Sequence, residues 1–136
     1  MTTVLLLKVQ RSEVIECNGQ KTLTPRIDVV DANGRSIPRF DLMCAEIDND
    51  IQNSAGSGAA TLQALRRVEL GQSATEELGG NAWYTYITLE KVWFEGQYNQ
   101  GEGGEVSFAQ YKLAVQTYVR FLADPEHKPI EVEFPA

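Results

Sequence analysis

The first 42 residues of the chain contain apolar runs of strand length, separated by turn residues. These runs predict four β-strands, at Thr3–Val9, Glu13–Cys17, Arg26–Asp31 and Arg35–Phe40. Asn18-Gly19 and Ala32–Gly34 lie between them, and both favour tight turns because Asn and Gly tolerate positive φ. The pattern therefore predicts an antiparallel meander, in which Pro38 marks an edge or a bulge.

A helix is predicted in the middle of the chain, where apolar residues are three positions apart at Leu62, Leu65 and Val68. Ser57 or Thr61 can cap the N-terminus of this helix. Gly71 follows the last apolar position and is expected to end the helix.

A second helix is predicted after Ser107. Ser107 and Gln110 have the spacing of a capping box, in which each side chain bonds a backbone N–H of the first turn. One helical face then collects the apolar residues Phe108, Tyr111, Val115, Tyr118, Val119 and Leu122. Asp124-Pro125 ends the helix, since the residue before a proline avoids the α conformation.

The strongest β pattern lies between these helices. Residues that favour strands alternate from Trp83 to Leu89, Glu90-Lys91 can turn the chain, and Val92–Glu95 continues as the second strand of a hairpin. Pro129–Phe134 alternates apolar and acidic residues and predicts a last strand. Leu42–Ile47 is compatible with a strand or a helical turn.

The segments Gln72–Gly80 and Gly101–Gly104 are expected to be a polar connection and a flexible loop. With these connections, the element order predicts an α+β fold. One antiparallel sheet, built from the N-terminal meander and the C-terminal hairpin and strand, is covered on one face by two helices. Residues 1–136 are expected to form a single domain, because no repeat or boundary divides them.

Charge limits the class of partner. The chain has 19 acidic and 12 basic residues, giving a net charge of −7. Nucleic acids and anionic membranes are bound largely through Lys and Arg, and the densest basic point is only Arg66-Arg67. The composition therefore predicts no nucleic-acid or membrane partner. It favours a basic protein partner instead, because opposite charge accelerates encounter.

Cysteine content and the absence of a long apolar run indicate a cytoplasmic protein. Val4–Leu7 is too short for the apolar core of a signal peptide or a membrane span. Cys17 and Cys44 belong to no Cys-x-x-Cys motif, so we expect two reduced thiols that serve as packing residues.

Candidate catalytic and metal-binding residues lack the patterns that such chemistry requires. His127, the only histidine, has no triad-like partner motif in the sequence. Asp48–Asp50 with Asn53 departs from the calcium-loop spacing, and the glutamates around Gly101–Gly104 would repel phosphate. We therefore predict no catalytic residue, no metal site and no cofactor, and expect a non-enzymatic protein.

The hairpin is rich in aromatic residues, which cannot all face the core because strand residues alternate between faces. Either Trp83, Ile87 and Phe94 face inward and Tyr84, Tyr86 and Trp93 outward, or the reverse. Exposed Tyr and Trp beside acidic residues are typical of a protein-binding surface. The residues predicted to bind a partner are Trp83, Tyr84, Tyr86, Trp93, Glu95, Glu131 and Glu133.

Two alternatives to partner binding remain at this point. One is a small-ligand-binding or catalytic domain with a pocket between helix and sheet, where polar groups converge around His127 or the carboxylates. The other is a homo-oligomer, for instance a homodimer, formed through the exposed strand.

The C-terminal half resembles small bacterial immunity proteins of polymorphic toxin systems. The corresponding pieces are a helix at Leu65–Gly71, the segment Gly80–Ala82, the aromatic hairpin Trp83–Phe94, and a helix from Phe108 to Phe121-Leu122. The resemblance implies a protein that occludes a toxin, commonly a basic one, and that needs no catalytic residue of its own.

Overall fold

The computed structural model describes residues 4–136 of the chain, which contain seven β-strands and three α-helices. The predicted α+β class is confirmed, and Thr3 of the first predicted strand lies outside the described residues. The strands are β1 (Leu5–Ile15), β2 (Lys21–Val30), β3 (Glu76–Gly79), β4 (Trp83–Ile87), β5 (Val92–Gly96), β6 (Glu102–Val106) and β7 (Ile130–Phe134). The helices are α1 (Asp41–Asp50), α2 (Ala59–Glu69) and α3 (Phe108–Ala123).

The strands form two antiparallel sheets rather than one. The three-stranded sheet has the order β2-β1-β7, and the four-stranded sheet has the order β3-β4-β5-β6. The last strand returns to the first, pairing Leu5 with Phe134 and Val9 with Ile130. In the hairpin, β4 pairs with β3 and β5 pairs with β6, and both partner strands are close to the hairpin in sequence. Both edges of the hairpin are therefore occupied, and it does not pair with the N-terminal strands.

The predicted strand Arg35–Phe40 is wrong. Ser36 forms one isolated bridge to Val30, and Pro38–Phe40 is a 3-10 turn that leads directly into α1. Proline has no N–H for a strand ladder and is well tolerated in the first turn of a helix, which explains this outcome. The ambiguous segment Leu42–Ile47 is therefore helical, and α1 is a third helix that the sequence pattern did not establish.

Two segments predicted as connections contain strands. Gln72–Gly80 includes β3, and Gly101–Gly104 continues into β6. Gly103 pairs with Phe94 at an irregularity in the ladder and has a φ of 97°, which a residue with a side chain rarely adopts. Glycines at such an irregularity resemble a loop in sequence although they belong to a strand.

The start of α2 also differs from the prediction. Neither Ser57 nor Thr61 is its N-cap: Ser57 lies in a preceding π turn, Ser54–Gly58, and Thr61 lies inside the helix. The turn itself is capped by Asn53, whose side-chain oxygen accepts the Gly56 N–H at 2.5 Å. The expected end of the helix is confirmed, since Gly71 follows Leu70 with a φ of 73°.

The helices pack against the inner faces of the sheets. α1 contacts both sheets, α2 contacts β3 and β4, and α3 contacts β1 and β7. Buried residues of the three helices and of β1, β4 and β7 belong to one core cluster, in which the Phe94 and Tyr111 rings lie 5.7 Å apart. The expectation of two helices on one face of one sheet is thus replaced by three helices in contact with two sheets.

The capping box of α3 is confirmed. The Ser107 hydroxyl oxygen accepts the Gln110 backbone N–H at 3.0 Å, and the side-chain amide oxygen of Gln110 accepts the Ser107 backbone N–H at 2.8 Å. The Gln110 amide also donates to the Pro135 carbonyl oxygen at 2.8 Å. The same residue therefore secures the start of α3 and the end of β7.

Ser107→Ala is expected to lower the free energy of unfolding by about 1 kcal/mol, because it leaves the Gln110 N–H without its side-chain acceptor. Urea denaturation monitored by circular dichroism measures the change. Ser107→Asp restores an acceptor and serves as the control. Equal stability of the alanine and aspartate variants would contradict the role of this cap.

Candidate functional site

The outer face of the four-stranded sheet brings together aromatic and acidic side chains. Strand register places Glu77 opposite Tyr86 and Tyr86 opposite Trp93. It also places Tyr84 opposite Glu95 and Glu95 opposite Glu102. Residues directly opposite in a sheet share a face. We call this surface the acidic aromatic face, defined by Glu77, Tyr84, Tyr86, Trp93, Glu95 and Glu102.

Two aromatic rings form the centre of the acidic aromatic face. Tyr86 and Trp93 stack with centroids 5.4 Å apart and an interplanar angle of 16°. The Lys91 ammonium lies 5.1 Å from the Trp93 ring centroid and 3.1 Å from a Glu105 carboxylate oxygen. Tyr84 is 41% exposed. The result is a stacked ring surface that already holds one cation at its edge.

Carboxylates surround these rings. The Tyr86 hydroxyl donates to a Glu95 carboxylate oxygen at 3.0 Å, and this hydrogen bond raises the pKa of Tyr86. Glu95 lies directly opposite Glu102 on the neighbouring strand. Like charges opposite each other destabilise a sheet, so a bound cation would relieve this repulsion.

The structure separates the residues predicted to bind a partner. Tyr84, Tyr86, Trp93 and Glu95 share the acidic aromatic face, as the first of the two alternation schemes requires. Trp83 was expected on the same surface and is instead 3% exposed, on the inner side of β4, so it leaves the predicted site. The alternation of the strand makes this inevitable once its neighbours Tyr84 and Tyr86 face outward.

Glu131 and Glu133 do not join this surface. Both are exposed on β7, which belongs to the three-stranded sheet. Glu131 lies opposite Lys8 and its carboxylate is 3.8 Å from the lysine ammonium. These two glutamates therefore form a separate acidic strip, because the single sheet that would have united them with the hairpin does not form.

The structure places the residues considered for catalysis and for calcium binding in separate parts of the fold. His127 lies after α3, with its ring 5.2 Å from that of Phe121. Asp48 accepts the Ile27 N–H at 3.2 Å from the C-terminal part of α1. Among the described residues 4–136, His, Cys, Asp and Glu form no group of three or more that could hold a metal ion.

The two cysteines have different environments. Cys44 is buried in the core, and this burial raises the pKa of its thiol. Cys17 is exposed in the turn between β1 and β2, so the expectation that both cysteines are packing residues is wrong for Cys17. The structure describes both as free thiols.

A buried carboxyl group on α1 was missed in the sequence. Glu46 is 3% exposed and accepts a hydrogen bond from the Tyr111 hydroxyl. Burial raises the pKa of Glu46 to about 8, and the nearby charge of Asp50 acts in the same direction, against hydrogen bonds from Tyr111 and Thr85. Glu46 is therefore mainly protonated at neutral pH. Its spacing from Met43 and Asp50 would have placed it on an inward face, had the helix been recognised.

Asp50 connects α1 to the four-stranded sheet. Its carboxylate accepts the Ala82 N–H at 2.9 Å and the Trp83 N–H at 3.1 Å. Burial raises the pKa of Asp50, while these backbone hydrogen bonds oppose the shift. A Cβ at Gly80 would overlap the Asp50 carboxyl carbon, so only glycine fits at that position.

No family model, no curated protein and no solved structure matches this chain. Within residues 4–136, no helix combines the length and the apolar composition that a bilayer crossing requires.

Glu46→Gln is expected to flatten the pH dependence of stability. Between its ordinary pKa of 4.5 and its folded value of about 8, the unfolded state loses the proton that the folded state keeps. In that window the free energy of unfolding falls as pH rises, by up to about 1.4 kcal/mol per pH unit. Glutamine keeps the shape of the protonated side chain and removes this slope.

Urea denaturation of both proteins at intervals from pH 5 to pH 8 measures the effect. The glutamine variant should gain stability relative to the native protein as pH rises. Glu16→Gln, at an exposed turn position, is the control and should keep the native slope. An unchanged slope in Glu46→Gln would show that this carboxyl is ionised at neutral pH.

Proposed function

We propose that this chain is a non-enzymatic protein-binding module that engages a basic partner through the acidic aromatic face. The observation that supports it best is the stacked Tyr86–Trp93 pair on an exposed sheet face beside Glu77, Glu95 and Glu102. Tyr and Trp supply large contact areas at little entropic cost and are enriched among the residues that dominate binding energy.

The chemistry of this face favours a partner with exposed Lys and Arg. Lys91 already lies over Trp93, and a partner cation can use the same type of contact with the Tyr84 and Tyr86 rings. The partner's charges also compensate the opposed Glu95 and Glu102 carboxylates. The net charge of −7 accelerates encounter with such a partner.

The finer proposal is an immunity-like role in the bacterial cytoplasm. The partner is then a basic toxin, and the chain blocks it by covering its functional surface. The resemblance of the hairpin Trp83–Phe94 and the helices around it to bacterial immunity proteins supports this role. Occlusion needs a preorganised binding surface rather than a catalytic residue, and the hairpin is flanked by β3 and β6 in the four-stranded sheet.

A homodimer through the same face is the weaker candidate. A two-fold interface brings identical patches together, so the glutamates of one copy would face those of the other. Sedimentation velocity at low and high salt separates the two proposals. A dimer that forms only at high salt would favour self-association, because salt screens this repulsion.

Trp93→Ala and Tyr84→Ala are each expected to weaken partner binding at least about tenfold, because they remove ring surface from the centre of the face. The partner is first captured by cross-linking in cells that produce this protein, then purified and measured by calorimetry. Leu23→Ala, which truncates an exposed apolar side chain on the other sheet, is the matched control.

The charge contribution is tested on the same complex. Glu95→Gln is expected to slow association and to reduce its salt dependence, with a smaller effect on dissociation. For the immunity-like role, co-production of the chain should restore growth to cells that make the captured protein, and Trp93→Ala should not. Binding unaffected by all three substitutions would contradict the proposed face.

A further inference from the structure

A polar cleft of about 550 Å³ opens between α1, the start of α2 and the first two strands of the four-stranded sheet. Its floor contains the buried side chains Glu46, Thr61 and Thr85, and its walls include Asp50, Asn53 and Asn81. Thr85 points to the inner side of β4, opposite to the acidic aromatic face. The cleft is therefore a different surface from the one proposed to bind a partner protein.

Buried polar side chains are concentrated at this cleft. Residues 4–136 contain five buried polar or charged side chains, of which three, Glu46, Thr61 and Thr85, line it. A core position on a helix is normally apolar, because burying a carboxyl group costs free energy even when it is hydrogen-bonded. A polar floor that borders open volume is typical of a ligand site.

The polar side chains around Glu46 are either acidic or uncharged. Asp50 approaches from the same helix and Tyr111 from α3, while α2 and β4 contribute the hydroxyl-bearing residues Thr61 and Thr85. In the described part of the chain, no Lys, Arg or His lines the cleft. An anionic ligand would therefore meet two carboxyl groups and no compensating cation.

We infer that this cleft binds a small organic cation, a primary ammonium or guanidinium compound, with Glu46 and Asp50 as its counter-ions. Such a group donates several hydrogen bonds, which the carboxyl, hydroxyl and amide oxygens around the cleft can accept. The volume admits a molecule with a short alkyl chain. This inference does not depend on the function proposed for the acidic aromatic face.

Binding of a cation requires a proton to leave. Glu46 is mainly protonated in the free protein at neutral pH, because its pKa is about 8. A neighbouring ammonium or guanidinium favours the carboxylate, so the carboxyl O–H bond breaks and the proton passes to the buffer. At pH 7 each cation that binds should release about one proton, and above pH 9 hardly any.

Calorimetry with n-butylguanidinium and n-butylammonium as probes tests this inference. Titrations at pH 7 in two buffers of different ionisation enthalpy measure the proton released, and titrations at pH 9.5 give the comparison. Butyrate and n-butanol, which have the same chain with an anionic or neutral head, are expected to bind at least tenfold more weakly.

Two variants test whether cation binding and proton release occur at the cleft. Glu46→Gln should abolish proton release and weaken binding of both cations at least tenfold, whereas the exposed Glu16→Gln should change neither. Should the glutamine variant fail to fold, the carbon NMR shift of the Glu46 carboxyl in the native protein gives the same answer. Its pKa should fall when n-butylguanidinium is added.

Three results would overturn the inference. One is the absence of binding heat at about 10 mM probe, a concentration at which even millimolar affinity is detectable. The second is binding without proton release at pH 7. The third is equal binding of butyrate or n-butanol. The two proposals fail independently. A protein that binds n-butylguanidinium with proton release but keeps full partner affinity in Trp93→Ala contradicts the acidic aromatic face alone, and the reverse result contradicts the cleft alone.

Discussion

The hydrogen bonds from the Ala82 and Trp83 backbone to the Asp50 carboxylate fix the junction between α1 and the four-stranded sheet. They attach the end of α1 to the first residue of β4, and α1 itself contacts both sheets. The Trp83 side chain lies in the core. Because side chains alternate along a strand, those of Tyr84 and Tyr86 lie on the outer face. The same attachment places Glu46, one helical turn before Asp50, at the floor of the cleft.

One sheet therefore separates two acidic environments of different physical character. On the outer face, Glu77, Glu95 and Glu102 are exposed and interact with Tyr86, with one another and with solvent. On the inner side, burial raises the pKa of Glu46, which favours its neutral form. The outer carboxylates are suited to attract a large basic surface over distance. The inner carboxyl can respond only to a group that enters the cleft and displaces its proton.

Elements with strong local signals were predictable, and those defined by their neighbours were not. The capping box and apolar stripe predict α3, and the alternation from Trp83 predicts β4, because both signals act within a few residues. β3 and β6 consist of Glu, Gly and one apolar residue each, so they become strands by pairing with β4 and β5. α1 mixes Met43 and Ile47 with four acidic residues and Asn49, and tertiary burial on both sides determines its helical state.

By itself the sequence determined the α+β class, the cap of α3, the aromatic hairpin and the excess of negative charge, since each depends on composition or on local spacing. It also limited the hairpin to two possible orientations, which differ in the set of aromatic side chains that faces outward. Only the tertiary structure decided between them, divided the strands into two sheets and thereby separated Glu131 and Glu133 from Tyr84 and Trp93. The same holds for Glu46 and its cleft, because residues from α1, α2, α3 and β4 meet there through long-range packing that local patterns do not encode.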